Sequence, residues 1–150
     1  MGMAELQLKQ SELFKKVVPE GLKILAPLAR LETYAPGSII FSQNTLAEKL
    51  FLLDQGVVAL KTSLAGGLEI TYEMITKKGD PFGWSALVEP FKLTATAICL
   101  EKTQVIAFQQ KELDRIFTQH PDLGFLVMKN LCVLIARRLQ RTRQLLAGQV

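Results

Sequence analysis

Gly79-Asp80-Pro81-Phe82-Gly83-Trp84-Ser85-Ala86-Leu87-Val88-Glu89-Pro90-Phe91-Lys92-Leu93-Thr94-Ala95-Thr96 is the stretch on which the reading of this chain turns. Gly79-Asp80 ends one extended run in a tight turn, a single helical turn begins at about Trp84, and a loop returns the chain to the next extended run. The first backbone N–H groups of a helical turn have no partner inside it, and their dipoles converge on the space in front. The amides of Ser85, Ala86 and Leu87 therefore read either as an anion site or as a capped surface turn hydrated by water.

Outward from this turn, Leu31 to Phe108 is built from short runs rich in Ile, Val, Thr, Phe and Tyr, each closed by Gly, Pro, Asn or Asp. Such runs are strands. They cover 31–34, 38–41, 50–53, 57–62, 68–75, 94–100 and 104–108, with turns at Pro36-Gly37, Asp54-Gln55-Gly56, Ala65-Gly66-Gly67, Lys78-Gly79-Asp80 and Glu101-Lys102-Thr103. No helix of ordinary length interrupts them, which excludes a parallel crossover sheet and leaves an antiparallel sandwich or barrel. Glu69 and Glu73 fall on one face of their strand by the period of two, a pattern common on solvent faces.

Helical spacing flanks the strands. Leu13, Phe14, Val17, Val18, Leu22, Leu25 and Leu28 predict two short helices within 11–29, with Pro19 suited to a first turn. A short helix is expected over 111–118, and a long one from about Leu123 to about Leu146. The long helix carries two apolar stripes. Leu123, Val127, Leu131 and Leu134 are expected to dock on the β-structure. Phe125, Met128, Cys132, Ile135, Leu139, Thr142 and Leu146 recur at alternating steps of three and four, which suits a coiled-coil seam with a second copy of the chain. We expect a homodimer through Phe125, Met128, Cys132, Ile135 and Leu139.

With 150 residues, 49% of them hydrophobic and 21% charged, the chain is long enough for one packed domain and too apolar for disorder. The longest apolar run, Leu131 to Ala136, is far too short to span a membrane, and the N-terminal stretch lacks the apolar core of a secretory signal. A cytoplasmic, membrane-free protein is expected. Cys99 and Cys132 stand apart with no CxxC pair and are expected to be buried, reduced thiols, with no metal site. The formal net charge is +4. Lys129, Arg137, Arg138, Arg141 and Arg143 carry all of that excess into the last helix, where cations complement the helix dipole or meet an acidic or nucleic-acid partner. Catalysis finds no support: the one histidine, His120, precedes Pro121 at a helix start, and Gly66-Gly67 lacks the Lys and Ser or Thr of a P-loop.

The order of two helices, Gly37, Gly56, Gly79-Asp80, Phe82-Gly83, Ala86-Leu87, Thr94-Ala95 and a long final helix resembles the cyclic-nucleotide-binding domain of the catabolite-activator type across almost the whole chain. The resemblance implies a mainly β fold: an antiparallel β jelly roll, or double-stranded β-helix, over 31–108, with N-terminal helices over 11–29 and C-terminal helices over 111–146, as one domain spanning 1–150. It also implies a phosphate-binding cassette, F-G-E-x-A-L followed by P-R-x-A, in which amides and the Arg hold the cyclic phosphate and the Glu accepts from the ribose hydroxyl. This chain keeps Phe82, Gly83, Ala86, Leu87 and Ala95. Trp84 replaces the Glu and Leu93 the Arg. Each lost contact is a charge-assisted hydrogen bond of roughly 1.5–3 kcal/mol, so losing both lowers affinity by about two to four powers of ten.

Phe82, Gly83, Trp84, Ser85, Ala86, Leu87, Lys92, Leu93, Thr94 and Ala95 are the expected ligand contacts. Lys92 is one residue before the lost Arg and reads as a phosphate contact or a solvated loop lysine. Thr94 supplies a hydroxyl or simply faces water. Trp84 either fills the pocket or forms a wall for an aromatic ligand. The expected function is a non-catalytic, ligand-sensing regulatory domain in which cyclic AMP or cyclic GMP binds weakly or is replaced by another small anionic or aromatic ligand, with a further protein partner open. The alternative is a ligand-free scaffold acting through its last helix. Relatives that regulate transcription add a helix-turn-helix domain after this helix; with Val150 as the last residue, sequence-specific DNA binding is not expected.

Overall fold

In the computed structural model, which describes residues 2–148, three short α-helices, three 3₁₀ turns and eight strands precede a long helix. The helices are α1 (Met3–Lys9), α2 (Pro19–Leu25), α3 (Gln110–Gln119) and α4 (Pro121–Leu146), with 3₁₀ turns at Glu12–Phe14, Ala26–Leu28 and Trp84–Leu87. The strands are β1 (Arg30–Tyr34), β2 (Ile39–Phe41), β3 (Lys49–Gln55), β4 (Val58–Ser63), β5 (Glu69–Ile75), β6 (Pro81–Phe82), β7 (Thr96–Cys99) and β8 (Thr103–Gln109). They form two four-stranded sheets in the orders β1-β8-β3-β6 and β2-β7-β4-β5, every pairing antiparallel. The mainly β roll with flanking helices is thus as expected; the end of the chain at Val150 lies outside the described residues.

Strands β3 and β8 explain how the layers hold together. Alternate side chains point to opposite faces of a strand. Leu50, Leu52, Ile106 and Phe108 point one way into a core shared with the helices, while Phe51, Leu53, Val105 and Ala107 point the other way into a core between the sheets. Buried on both faces, these strands read as near-continuous apolar runs. Phe14 meets Phe108 edge-on at 5.8 Å between ring centroids, fixing the N-terminal turn to the sheet.

The N-terminal region departs from two helices in 11–29. An additional helix, α1, precedes it, anchored by the fully buried Leu8, and 11–29 divides into two 3₁₀ turns and α2, with Pro19 at its first turn. A second departure is β6: two residues within what reads as a turn pair with β3, Phe82 opposite Phe51 and Pro81 opposite Leu52.

The stripe Leu123, Val127, Leu131 and Leu134 faces inward, into one core with Leu50, Leu52, Ile106 and Phe108 of the strands, and α4 packs most extensively on α3 and on the Glu12–Phe14 turn. Val127 and Leu131 are buried, and Leu123 and Leu134 partly so. Gly124 allows the close approach, because a Cβ there would lie 2.8 Å from Phe117 Cβ. Asn130 Nδ2 locks the contact by donating to the carbonyls of Leu13 (2.9 Å) and Lys15 (2.8 Å). Cys99 is buried, but Cys132 is exposed, correcting its reading as a core thiol: it lies on the helix face that the packing leaves open. On that face Phe125, Ile135 and Leu139 are exposed and Met128 is half-buried.

Candidate functional site

Gly83 sets the geometry of the turn. Its φ of +71° is left-handed, and a Cβ would come within 3.1 Å of both Phe41 and Phe51. Those rings stack with Phe82, the Phe51–Phe82 centroids being 5.3 Å apart and Phe41–Phe51 5.8 Å. Phe82 is therefore the buried plug beneath the turn. From this anchor the Trp84–Leu87 turn projects toward α4.

The turn offers fewer donors than its sequence suggests. The Ala86 amide donates to the Gly83 carbonyl at 3.2 Å, and Ala86 itself is buried. The Ser85 amide has no acceptor among the described residues. On the return segment, Leu93 donates to the Thr45 carbonyl and accepts from the Asn44 amide, both at 2.8 Å. This pairing holds the Leu93 side chain inward and leaves Lys92, opposite Leu46 in an isolated bridge, exposed.

In front of the turn lies a cavity of about 460 Å³. Gly83, Trp84, Ser85, Leu93, Thr94 and Ala95 line it from the turn and return segment; Phe41, Leu60, Thr62 and Tyr72 line it from the sheets; and Arg138 reaches it from α4. Six of the ten residues singled out in the sequence thus share its wall. Phe82, Ala86, Leu87 and Lys92 are not in it, the first two being buried beneath the turn and Lys92 exposed on the loop. Trp84 leaves the cavity open, standing as its wall instead of filling it. The Arg138 guanidinium carbon sits 4.2 Å from the Trp84 ring centroid, a cation–π contact.

Five wall residues escape sequence reading, Phe41, Leu60, Thr62, Tyr72 and Arg138, as does the adjoining Glu73. Leu60 pairs with Glu73 but Lys61 with Thr71, so Tyr72 is an extra residue on β5, a β-bulge. The bulge inverts the alternation. Glu73, opposite buried Leu60, turns inward, whereas Glu69, opposite Ser63, stays exposed; the expectation of one shared solvent face fails for that reason. Glu73 receives two arginines of α4: Oε2 lies 3.5 Å from Arg138 Nε and Oε1 3.2 Å from an Arg141 terminal nitrogen. Arg137 pairs with Glu12. The arginine cluster is thus largely engaged by this chain's own acids. A second cavity, of about 540 Å³, shares Trp84 and Arg138 with the first and is lined also by Glu12, Lys77, Asp80 and Arg141.

Burial shapes the electrostatics. It lowers the Arg138 pKa, an effect opposed by Glu73 and Tyr72. It raises that of the Tyr72 phenol, against the pull of Arg138, so the hydroxyl stays a neutral donor at ordinary pH. Burial also raises the Asp80 carboxyl, partly countered by Lys77. Among the described residues, no histidine, cysteine or carboxylate lines the 460 Å³ cavity, and no cluster suited to a metal is found. The wall of the 460 Å³ cavity thus combines one guanidinium and four hydroxyls with apolar side chains. No described helix is long and apolar enough to cross a membrane.

The chain is thus a roll of two antiparallel sheets with a cavity between a short turn, a β-hairpin and a long C-terminal helix. Residues 31–120 match the cyclic nucleotide-binding domain family, and the chain belongs to it. It is similar to the cyclic AMP receptor protein of Thermus thermophilus, at 30% identity over 133 residues, covering 89% of this chain and 59% of that protein. The crystal structure of the Thermus thermophilus catabolite activator protein superposes with a TM-score of 0.76 at 29% identity, covering 91% of this chain and 62% of that one. A cyclic nucleotide-binding domain from Methylobacillus flagellatus shares the fold at a TM-score of 0.83 and 14% identity, over 98% of this chain and 82% of that one. The chain spans about three-fifths of the length of the Thermus protein.

Proposed function

We propose that this chain is a non-catalytic, cytoplasmic ligand-sensing domain whose altered cassette binds cyclic AMP and cyclic GMP weakly and takes another small molecule in the 460 Å³ cavity. The observation that carries this reading is the open cavity with Arg138 of α4 in its wall, a volume within the range of small-molecule sites. Trp84 and Leu93 stand there in place of the two groups that grip a sugar phosphate in the cassette pattern. The ligand contacts are Gly83, Trp84, Ser85, Leu93, Thr94 and Ala95, with Phe82, Ala86 and Leu87 supporting the turn.

Output passes through α4, which pairs with a second copy along Phe125, Met128, Cys132, Ile135 and Leu139. Supporting this is the exposure of Phe125 (68%) and Leu139 (49%) after the helix has packed on its own chain. Sedimentation equilibrium is expected to give a dimer that Leu139→Glu dissociates; a monomer at all concentrations would overturn the seam. Titration calorimetry tests the site: cyclic AMP or cyclic GMP binding at micromolar strength would refute the altered specificity. The scaffold reading draws on the Ala86 amide, already bonded, and on Arg138 capping the Trp84 ring; it predicts that no small molecule shifts the emission of the single tryptophan.

A further inference from the structure

Recognition of charge at this cavity does not come from the turn. Where the cassette pattern has a guanidinium the chain places Leu93, which is buried and held inward by its backbone pairing. Among the described residues Arg138 is the one charged side chain in the wall, and it comes from α4. Its Nε is buried with no hydrogen-bond partner, and the nearest carboxylate oxygen, on Glu73, stands 3.5 Å away. A guanidinium so placed shares its counter-ion with Arg141 and has a donor left over, and an unsatisfied buried donor favours any acceptor that reaches it.

Counting charge narrows the ligand. Arg138 and Arg141 face the single carboxylate of Glu73, and with Glu12, Asp80, Lys77 and Arg137 of the adjoining cavity counted in, the bases still exceed the acids by one, leaving one positive charge for one negative group. A second negative charge would be uncompensated in a partly desolvated site. Phe41, Leu60, Trp84, Leu93 and Ala95 give the rest of the wall an apolar surface that suits a flat hydrocarbon body, beside the hydroxyls of Thr62, Tyr72, Ser85 and Thr94. Resting on the reading of the cavity as a ligand site, we infer that it takes an organic acid with a single carboxylate and a flat apolar body, the carboxylate binding Arg138 and displacing Glu73 onto Arg141.

The test uses 2-naphthoate, its neutral analogue 2-naphthamide and the dianion naphthalene-2,6-dicarboxylate. Binding is read by calorimetry and by the indole N–H resonance of Trp84, the only tryptophan in the chain. One 2-naphthoate per chain is expected, bound at least about tenfold more tightly than the amide or the dicarboxylate, as one charge-assisted contact implies. Arg138→Gln abolishes the preference for the acid while the amide binds as before. Glu73→Gln, which leaves both arginines in place, strengthens 2-naphthoate binding and admits the dicarboxylate, so the inference stays testable if Arg138→Gln fails to fold. Equal affinity for acid and amide in the unmodified protein, or acid binding indifferent to both substitutions, overturns the inference and leaves ligand sensing standing. Silence toward all three probes overturns it as well, and silence toward cyclic nucleotides in addition removes the sensing reading with it.

Discussion

Replacing Gly83 by alanine measures how firmly the turn that carries Trp84 is clamped to the sheets. Two effects add. An L-residue held in the left-handed region costs about 1–2 kcal/mol, and φ here is +71°. The new methyl meets Phe41 Cε2 and Phe51 Cδ2 at 3.1 Å and the Lys49 carbonyl at 3.4 Å. The rings stack with Phe82 and have little room to retreat, so relief of the overlap costs roughly another 1 kcal/mol, the low end for overpacking. Restricting the unfolded chain returns about 0.4–1 kcal/mol. The net loss is about 2 kcal/mol, or a melting temperature about 4–8 °C lower for a domain of this size. Gly37→Ala supplies the control: its φ is +84° and nothing lies within 4 Å of its Cβ, so it carries the backbone cost alone. Urea unfolding followed by tryptophan emission and by circular dichroism, with an unchanged m-value, should place Gly83→Ala about 1 kcal/mol below Gly37→Ala. Equal midpoints for the two variants would show that the aromatic cluster does not press on the turn.

Other expectations follow from single contacts. Asn130→Ala frees the Leu13 and Lys15 carbonyls and should cost about 1–3 kcal/mol in urea denaturation; a loss under about 0.5 kcal/mol would show that water replaces the amide without penalty. The Asp80 pKa is raised on folding by burial, so Asp80 contributes stability below its unfolded value that is lost as pH rises through the folded one. Asp80→Asn should therefore gain stability relative to the unmodified chain on going from pH 4 to pH 7, and an unchanged difference between the two pH values would contradict it. A thiol reagent should label Cys132 but not buried Cys99 in the folded protein; if α4 forms the dimer seam, labelling slows as protein concentration rises, and a concentration-independent rate counts against that seam.

What the sequence discloses and what it hides divide along physical lines. The Trp84–Leu87 turn is legible because a left-handed glycine followed by a single helical turn is local, and β3 and β8 are legible because burial on both faces leaves an unbroken apolar run. Strand β6 is hidden: its two residues are stabilised by pairing with β3, a partner distant in sequence. Helix α1 is hidden because Leu8 is its only buried side chain. The inward turn of Glu73 depends on the bulge at Tyr72, and a period-two reading has no means of registering an inserted residue. Arg138 looks like its neighbours Arg137 and Arg141 on the helix; which of them meets Trp84 depends on how α4 packs, with Gly124 close against Phe117 and Asn130 bonded to Leu13 and Lys15.

That selection bears on how binding is transmitted. A ligand shifts a conformational equilibrium only by the difference in its affinity for the two states. In a cassette whose guanidinium lies on the return loop, the charged contact is the same wherever the last helix stands, and discrimination must come from elsewhere. With the guanidinium on α4, any sliding or rotation of that helix changes the distance between Arg138 and a bound acid directly. The same motion alters the pairing of Glu73 with Arg138 and Arg141, and it displaces the exposed stripe of Phe125, Ile135 and Leu139. One helix therefore carries both the charged contact with the proposed ligand and the proposed dimer seam, so a coupling of 1–3 kcal/mol, the usual allosteric scale, requires no relay through the β-roll.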